Sequence, residues 1–307
     1  MTTSGLVTPG SDPEVTIGIP VYNGEALLRT AVDSVLCQDF ADLEILIADN
    51  ASTDKTPEIA REYARLDPRV RYVRHETNIG GWNNFFYLLD HARGRFFSWL
   101  AHDDAYERPD HIRKLAEKLR EGYVLAFPNV AETHYDSDGR IEWERHDVLG
   151  AYRGADTRFR MSRVAVRCSA HPLYGMFRID ALRSYTPVLT EDRVMIHYGE
   201  GRFVQKLIAN ERCAFVPEAI QTFGVHGKNA GMASDVRRVF RDFVLYVWRS
   251  PGMYRGSPLS TGQRILLYGE ILRVRVPTVV VMAGLICKRT VMHAVRKLLR
   301  SKGLRTP

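Results

Sequence analysis

The chain reads as an α/β protein: a mostly parallel sheet flanked by helices, with a helical, basic C-terminal extension. Two observations predict this. Over roughly the first hundred residues, short apolar, β-branched runs alternate with stretches whose apolar residues recur at helical spacing, and that alternation builds a parallel sheet with crossover helices. From about residue 234 the pattern becomes helical and rich in Arg and Lys. The reading divides the chain into a floppy tail over 1–13, an α/β domain over 14–232 and a helical extension over 233–307.

The elements follow in order. "VTIGIPVYN" is a buried strand, and "GEALLRTAVDSVLCQ" a helix behind it. "LEILIADN" is the second strand, followed by the helix "STDKTPEIAREYARL" with Ser52 or Thr53 as its cap. "VRYVRH" and "RFFSWLA" are the third and fourth strands, and "GGWNNFFYLLDHA" is the helix between them. After Pro109 the regularity fades. "PDHIRKLAEKLR" is a helix with Pro in its first turn, and "YVLAFPNV" is a strand. Residues 130–170 read as irregular, with a turn at "DSDGR". "HPLYGMFRIDAL" and "RCAFVPEAI" are late strands.

With 307 residues, 45% hydrophobic and 26% charged, the chain has an ordinary globular composition. The net charge of +7 favours anionic partners. The basic residues are not interleaved with aromatics along one motif, which argues against a nucleic-acid binder. Four cysteines lie far apart with no CxxC pair, so neither a zinc site nor a disulfide framework is expected. The first residues lack the basic and apolar regions of a signal peptide. The expected location is therefore cytoplasmic.

Ligands on open parallel sheets bind beyond the carboxyl ends of the strands. Here every strand delivers polar groups to that rim: Pro20, Tyr22 and Asn23 after the first; Asp49, Ser52 and Asp54 after the second; Asn78 and Gly80 after the third; His102, Asp103 and Asp104 after the fourth. The turn "PVYNGEA" lacks GxGxxG, and no Walker loop is present. An acidic rim cannot hold a polyphosphate unaided. It needs a hard cation, Mg²⁺ or Mn²⁺, held by carboxylate oxygens. Asp103 and Asp104 suit that task. Asp49 suits a hydrogen bond from an N–H of a nucleobase, against which Tyr22 packs.

The stretch from "VTIGIPVYN" to "ADNASTDKT", then "NIGGWNNFF", "ARGRFFSWLAHDD" and "ERPDHIRKL", resembles the family 2 glycosyltransferases of GT-A fold. The resemblance is strong over about residues 14–125 and weaker over 170–230. It implies an inverting transferase that takes a nucleotide-diphosphate sugar with a divalent metal. By that similarity Pro20, Tyr22, Asn23, Asp49, Ser52 and Asp54 fall on nucleotide-binding positions. Asn78, Gly80 and Asn84 fall on a middle motif, and Asp103 and Asp104 on the Asp-x-Asp region. Two departures stand out. Where the family often reads Asp-Ala-Asp-Asp, this chain has Ala101-His102-Asp103-Asp104. Where it commonly reads Asp-Asp-Gly-Ser-Thr-Asp, the chain has Asp49-Asn50-Ala51-Ser52-Thr53-Asp54.

Inversion needs a carboxylate to deprotonate the acceptor hydroxyl. The family supplies it from a Glu-Asp pair opening a helix. Asp192 in "TEDR", which matches the dipeptide, is the leading candidate, and Glu200 in "YGEGRF", which matches the distance to "FVPEA", is its rival. His226 in "FGVHGKNAG" matches a late histidine that serves metal or diphosphate. The C-terminal apolar run "VPTVVVMAGLIC" is too short to span a bilayer. Its basic flanks suit peripheral contact with the inner face of a membrane. The expected partners are a nucleotide-sugar donor and a hydroxyl acceptor in a glycan, lipid-linked sugar or small molecule. A nucleotidyltransferase, or a binding protein that has lost catalysis, is the alternative.

Overall fold

A computed structural model describes residues 12–136, 140–167, 170–191, 199–225 and 236–274. These residues form two compact units. The first holds the described residues up to Arg158, then 170–187 and 211–225. The second holds 159–167, 188–191, 199–210 and 236–274.

The first unit is built on a nine-stranded sheet. Its parallel part comprises β1 (Val15–Val21), β2 (Leu43–Asp49), β3 (Val70–Arg74) and β4 (Phe96–Trp99), laid out in the order β3-β2-β1-β4. β2 is buried along its whole length, as a strand covered on both faces must be. Crossover helices α1 (Leu28–Leu36), α2 (Thr56–Leu66) and α3 (Gly81–His91) join these strands. α1 turns Leu28, Ala31, Val32 and Val35 inward, at the spacing that puts side chains on one helix face. They join Ile17, Ile19, Ile45 and Ile47 in one hydrophobic cluster.

The mixed half of the sheet follows. It contains β5 (Ala105–Tyr106), β6 (Leu125–Tyr135), β7 (Ile141–Arg145), β8 (Met176–Arg178) and β9 (Cys213–Val225), with α4 (His111–Arg120) between β5 and β6. The order continues from β4 as β8-β6-β9-β5, and β7 pairs with β6. β8 is antiparallel to both β4 and β6, so β6 runs in the same direction as β4. β9 is parallel to β6, but the register jumps from Pro128↔Val216 to Asn129↔Ile220. Pro217 thus lies in a bulge, where its missing N–H leaves no ladder bond unmade.

The fold class agrees with the sequence reading, and the later half carries more order than the sequence suggested. The stretch read as irregular holds the end of β6, all of β7 and α5 (Arg158–Arg167). The turn expected at "DSDGR" has residues 137–139 outside the described set, as are 1–11 of the expected tail. "HPLYGMFRIDAL" yields only a three-residue strand, because α6 (Ile179–Glu191) begins at Ile179.

The second unit packs α5, α7 (Gly199–Asn210), α8 (Val236–Met253) and a helical stretch over 261–274. Val166, Ala209, Tyr246, Met253, Leu267 and Ile271 form its own apolar cluster. Gln205 Nε2 donates to Tyr246 Oη at 2.8 Å, and Arg163 and Arg167 both pair with Glu270.

Candidate functional site

The loops after β1, β2, β3 and β4 gather at one edge of the sheet, because parallel strands end on the same side. The first two are laced together. Asn23 has a left-handed φ of 52°, which Asn tolerates. Its N–H donates to Ser52 Oγ at 2.9 Å, and its Oδ1 accepts from the Thr53 N–H at 2.8 Å. The Gly24 N–H donates to Thr56 Oγ1, and the Glu25 N–H donates to Asp54 Oδ2. Burial raises the Asp54 carboxyl pKa, but hydrogen bonds from Thr56 and the Glu25 N–H outweigh that and hold it below the usual range. Ala51 has φ 62°, a left-handed conformation that costs a residue with a Cβ about 1–2 kcal/mol. The glycine common at this position in the resembled family is thereby explained.

Asp49 closes this loop from below. Its side chain is wholly buried. Oδ1 accepts from the Ser52 N–H at 2.8 Å, and Oδ2 from Tyr72 Oη at 2.8 Å. Arg74 Nε lies 3.8 Å from Oδ2, and its Nη2 donates to Ser52 O. Burial, then the bond to Asp49, push the Tyr72 phenol pKa upward, so it remains a donor. The sequence reading missed Tyr72 and Arg74. Their alternation along β3, placing both on one face, was the available signal.

The third loop is fixed by side-chain amides. Asn50 Nδ2 donates to Asn78 Oδ1, which also accepts from the Gly80 N–H. Gly80 has φ 86°, where a side chain would be strained. Asn84 is buried, donating to Ala48 O while its Oδ1 lies 2.9 Å from His75 Nε2. Pro20 lies at the end of β1, and Tyr22 is about half exposed at the rim.

The fourth strand ends in the acidic pair. Asp104 is buried, and the Asp103 side chain is only slightly exposed. Asp104 Oδ1 accepts from the Gly224 N–H at 3.3 Å and Oδ2 from Gln221 Nε2 at 3.4 Å. Burial, then the neighbouring Asp103 charge, drive the Asp104 pKa well above the usual carboxylate range. Two long hydrogen bonds do not saturate a carboxylate, and two adjacent acids repel. That donor set fits a hard divalent cation. Among the described residues no group of three or more His, Cys, Asp or Glu converges as a metal cage. Two carboxylates suffice for an ion that also binds substrate phosphates. His102 sits against Gly24, where an added Cβ would come within 2.6 Å of its ring.

Gln221 and Gly224, on β9, were not legible as site residues, since 117 and 120 positions separate them from Asp104. The bulge at 217–219 sets their register. His111 helps hold it: Nδ1 lies 3.2 Å from Ile220 O, and burial pushes the ring's pKa down to about 3, so the neutral ring donates there.

The expected bases fall differently. Glu191 closes α6, and Asp192 and His226 lie outside the described residues. Glu200 stands in the first turn of α7, where burial pushes its carboxyl pKa up to about 7.

The α/β sheet with an acidic pair at its carboxyl edge is of the GT-A type. The profile of glycosyl transferase family 2 matches residues 16–183, more than half the chain, and the chain belongs to that family. It is 36% identical over 117 residues to an uncharacterized glycosyltransferase of Rickettsia typhi, covering 38% of this chain and 36% of that protein. It is 33% identical over 118 residues to the GalNAc(5)-diNAcBac-PP-undecaprenol beta-1,3-glucosyltransferase of Campylobacter jejuni, covering 38% of each. The chain thus spans little more than a third of the length of these relatives. Among solved structures it is similar to S. aureus TarS 1-349 in complex with UDP (TM-score 0.63, 17% identity, 84% of this chain and 70% of that one). It is also similar to the mannosyltransferase PcManGT of Pyrobaculum calidifontis in complex with GDP-Man and Mn²⁺ (TM-score 0.58, 17% identity, 95% and 81%).

Proposed function

We propose that the chain is an inverting glycosyltransferase that moves a sugar from a nucleotide-diphosphate donor to an acceptor hydroxyl. The observation that carries this reading is the acidic pair at the carboxyl edge, beside loops laced by Asn23, Ser52, Asp54, Asn78 and Asn84. The laced loops form the nucleotide cradle, with Pro20, Tyr22 and Gly80 on its surface. Asp49 holds the cradle's shape and keeps Arg74, a half-exposed cation, beside it.

Asp103 and Asp104 would hold Mg²⁺ or Mn²⁺, with His226, two positions past Gly224, as a further ligand. When bound there, such an ion would supply positive charge against the departing diphosphate. The acceptor oxygen attacks the anomeric carbon, the carbon–diphosphate bond breaks on the opposite face, and a carboxylate takes the acceptor proton. Glu200 is the favoured base over Asp192, because it opens a helix and its pKa of about 7 suits proton abstraction at neutral pH.

Incubation with labelled UDP-, GDP- and dTDP-sugars tests the reading. Release of free sugar or its transfer supports it. Nucleotidyl transfer, or binding of many donors without turnover, assigns one of the two alternatives instead. Asp49→Ala leaves the Tyr72 hydroxyl and the Ser52 N–H unpaired, at a cost of about 1–3 kcal/mol in denaturant melts. Its nucleotide affinity by calorimetry falls equally with Mn²⁺ or with EDTA, since Asp49 acts through the cradle. Unchanged affinity removes Asp49 from the site.

The C-terminal run read as the site of peripheral membrane contact, 276–287 with its basic flank, lies outside the described residues, and α8 offers a second element for such contact. No helix among the described residues is long and apolar enough to cross a membrane. Trp248 is 82% exposed, with Val244 one turn before it and Arg241 and Arg249 on the same helix. An exposed Trp flanked by basic side chains suits an anionic lipid interface. Vesicles of phosphatidylcholine with phosphatidylserine should co-sediment the full chain, and Trp248→Ser should reduce this several-fold. Equal sedimentation of the two proteins rejects the contact.

A further inference from the structure

Beyond the donor rim, one face of the sheet carries an unassigned aromatic platform. β6 runs in the direction of β4, so its carboxyl end lies at the same edge of the sheet as the acidic pair. Side chains of paired residues share a face, and that face repeats every second residue. Gln221, which donates to Asp104, pairs with Val130 on β6. Two residues on, Phe223 pairs with Glu132, and Glu132 pairs with Arg145 on β7. Two further on, His134 pairs with Trp143. A single face therefore leads from Gln221, beside Asp104, to Trp143, about 10 Å across two strand spacings and about 13 Å along the strands.

The groups along it are arranged. Trp143 is 46% exposed and stacks on His134, with ring centroids 3.3 Å apart and planes 16° from parallel. The His134 ring backs the indole and fixes its plane, leaving the far side to solvent. The Glu132 carboxylate lies between two imidazoles, 3.4 Å from His171 Nε2 and 3.7 Å from His134 Nε2. His171 in turn packs edge-on against Phe223. Ile141, two residues from Trp143 on the same strand, is also exposed.

We propose that Trp143 is a stacking platform for a sugar ring of the acceptor, with Glu132 as the adjoining hydroxyl acceptor, so that the acceptor is an oligosaccharide rather than a small alcohol. A flat apolar ring beside a fixed carboxylate matches a pyranose, which presents an apolar C–H face and a rim of hydroxyls. A protein partner is a poorer match. The apolar surface is one Trp and one Ile, far below the roughly 800 Å² per side of a stable protein interface. The charged Glu142, Glu144 and Arg145 on this edge strand also oppose pairing with another strand.

The inference rests on the glycosyltransferase reading, so the test reads the two separately. Full-length wild type, Trp143→Ala and Trp143→Tyr are compared for melting temperature, for UDP and GDP affinity, and for binding to a printed array of oligosaccharides. Wild type should bind a subset of the oligosaccharides. Trp143→Ala should lose about tenfold in affinity for that subset, Trp143→Tyr should retain most of it, and nucleotide affinity should be equal in all three. Equal glycan binding by Trp143→Ala overturns the platform, as does a wild type that binds nucleotide and no oligosaccharide. A wild type that binds no nucleotide overturns the donor reading itself, and the platform with it.

Discussion

Asp104→Asn should melt no lower than wild type in metal-free buffer, yet lose at least about 10–100-fold of the Mn²⁺-dependent gain in nucleotide affinity. Loss of a group that merely orients a metal ligand already costs that much, and Asp104 is proposed to bind directly. The stability half of the result follows from charge. Burial and Asp103 raise the folded pKa of Asp104 above its unfolded value. Its favourable contribution is thus fully present below the ordinary carboxylate pKa and is lost as pH rises through the folded value. Above the ordinary carboxylate pKa and without metal, the Asp104 carboxyl therefore opposes folding, and a neutral isostere removes that penalty. The hydrogen bonds survive the exchange. The carboxamide oxygen of the variant would still accept from the Gly224 N–H. Gln221 Oε1, buried with no hydrogen-bond partner among the described residues, can turn to accept from the new amide N–H. Calorimetry with nucleotide, with and without Mn²⁺, and a thermal melt check both halves. Identical Mn²⁺ dependence in the two proteins removes Asp104 as a ligand.

Glu200→Gln should lower kcat by about 10²–10⁴, the usual contribution of a general base, and leave nucleotide affinity within about twofold. The wild-type pH profile carries the sign. A base acts only when deprotonated, so kcat should rise through about pH 7, where burial places the Glu200 pKa. That limb should vanish in the Gln variant. Should Asp192→Asn reproduce the loss while Glu200→Gln leaves both rate and pH limb intact, the base is Asp192.

How much was legible follows from where each signal resides. β1, β2 and β4 are continuous apolar runs buried on both faces, so local composition alone reveals them. Their ends are turns rich in Asn, Asp and Ser, and the loops that gather at the rim are the ones the sequence marked. The partners of those residues were hidden wherever contact depends on strands far apart in the chain. Gln221 reaches Asp104 only because β9 bulges at 217–219, and no local pattern reports a register shift. The β6–β7 hairpin was missed because β7 is exposed along its length and only five residues long, so the alternation of Ile141 and Trp143 with Glu142 and Glu144 is too short to stand out from a polar loop. Asp49 illustrates a subtler limit. Its position at a strand end was plain, but its burial beneath Tyr72 and Ser52 was not.

The patchwork origin of the second unit bears on how the chain is made. Its apolar cluster joins Val166 of α5 and Ala209 of α7 to Tyr246, Met253, Leu267 and Ile271. On the ribosome α5 emerges long before the residues that cover it. At synthesis rates of about 5–20 residues per second, the roughly hundred residues between Val166 and Ile271 take several seconds to appear. The sheet can close in that interval, while α5 and α7 wait with apolar faces in water. A released chain truncated before residue 240 should therefore be bound by chaperones that the full chain no longer needs.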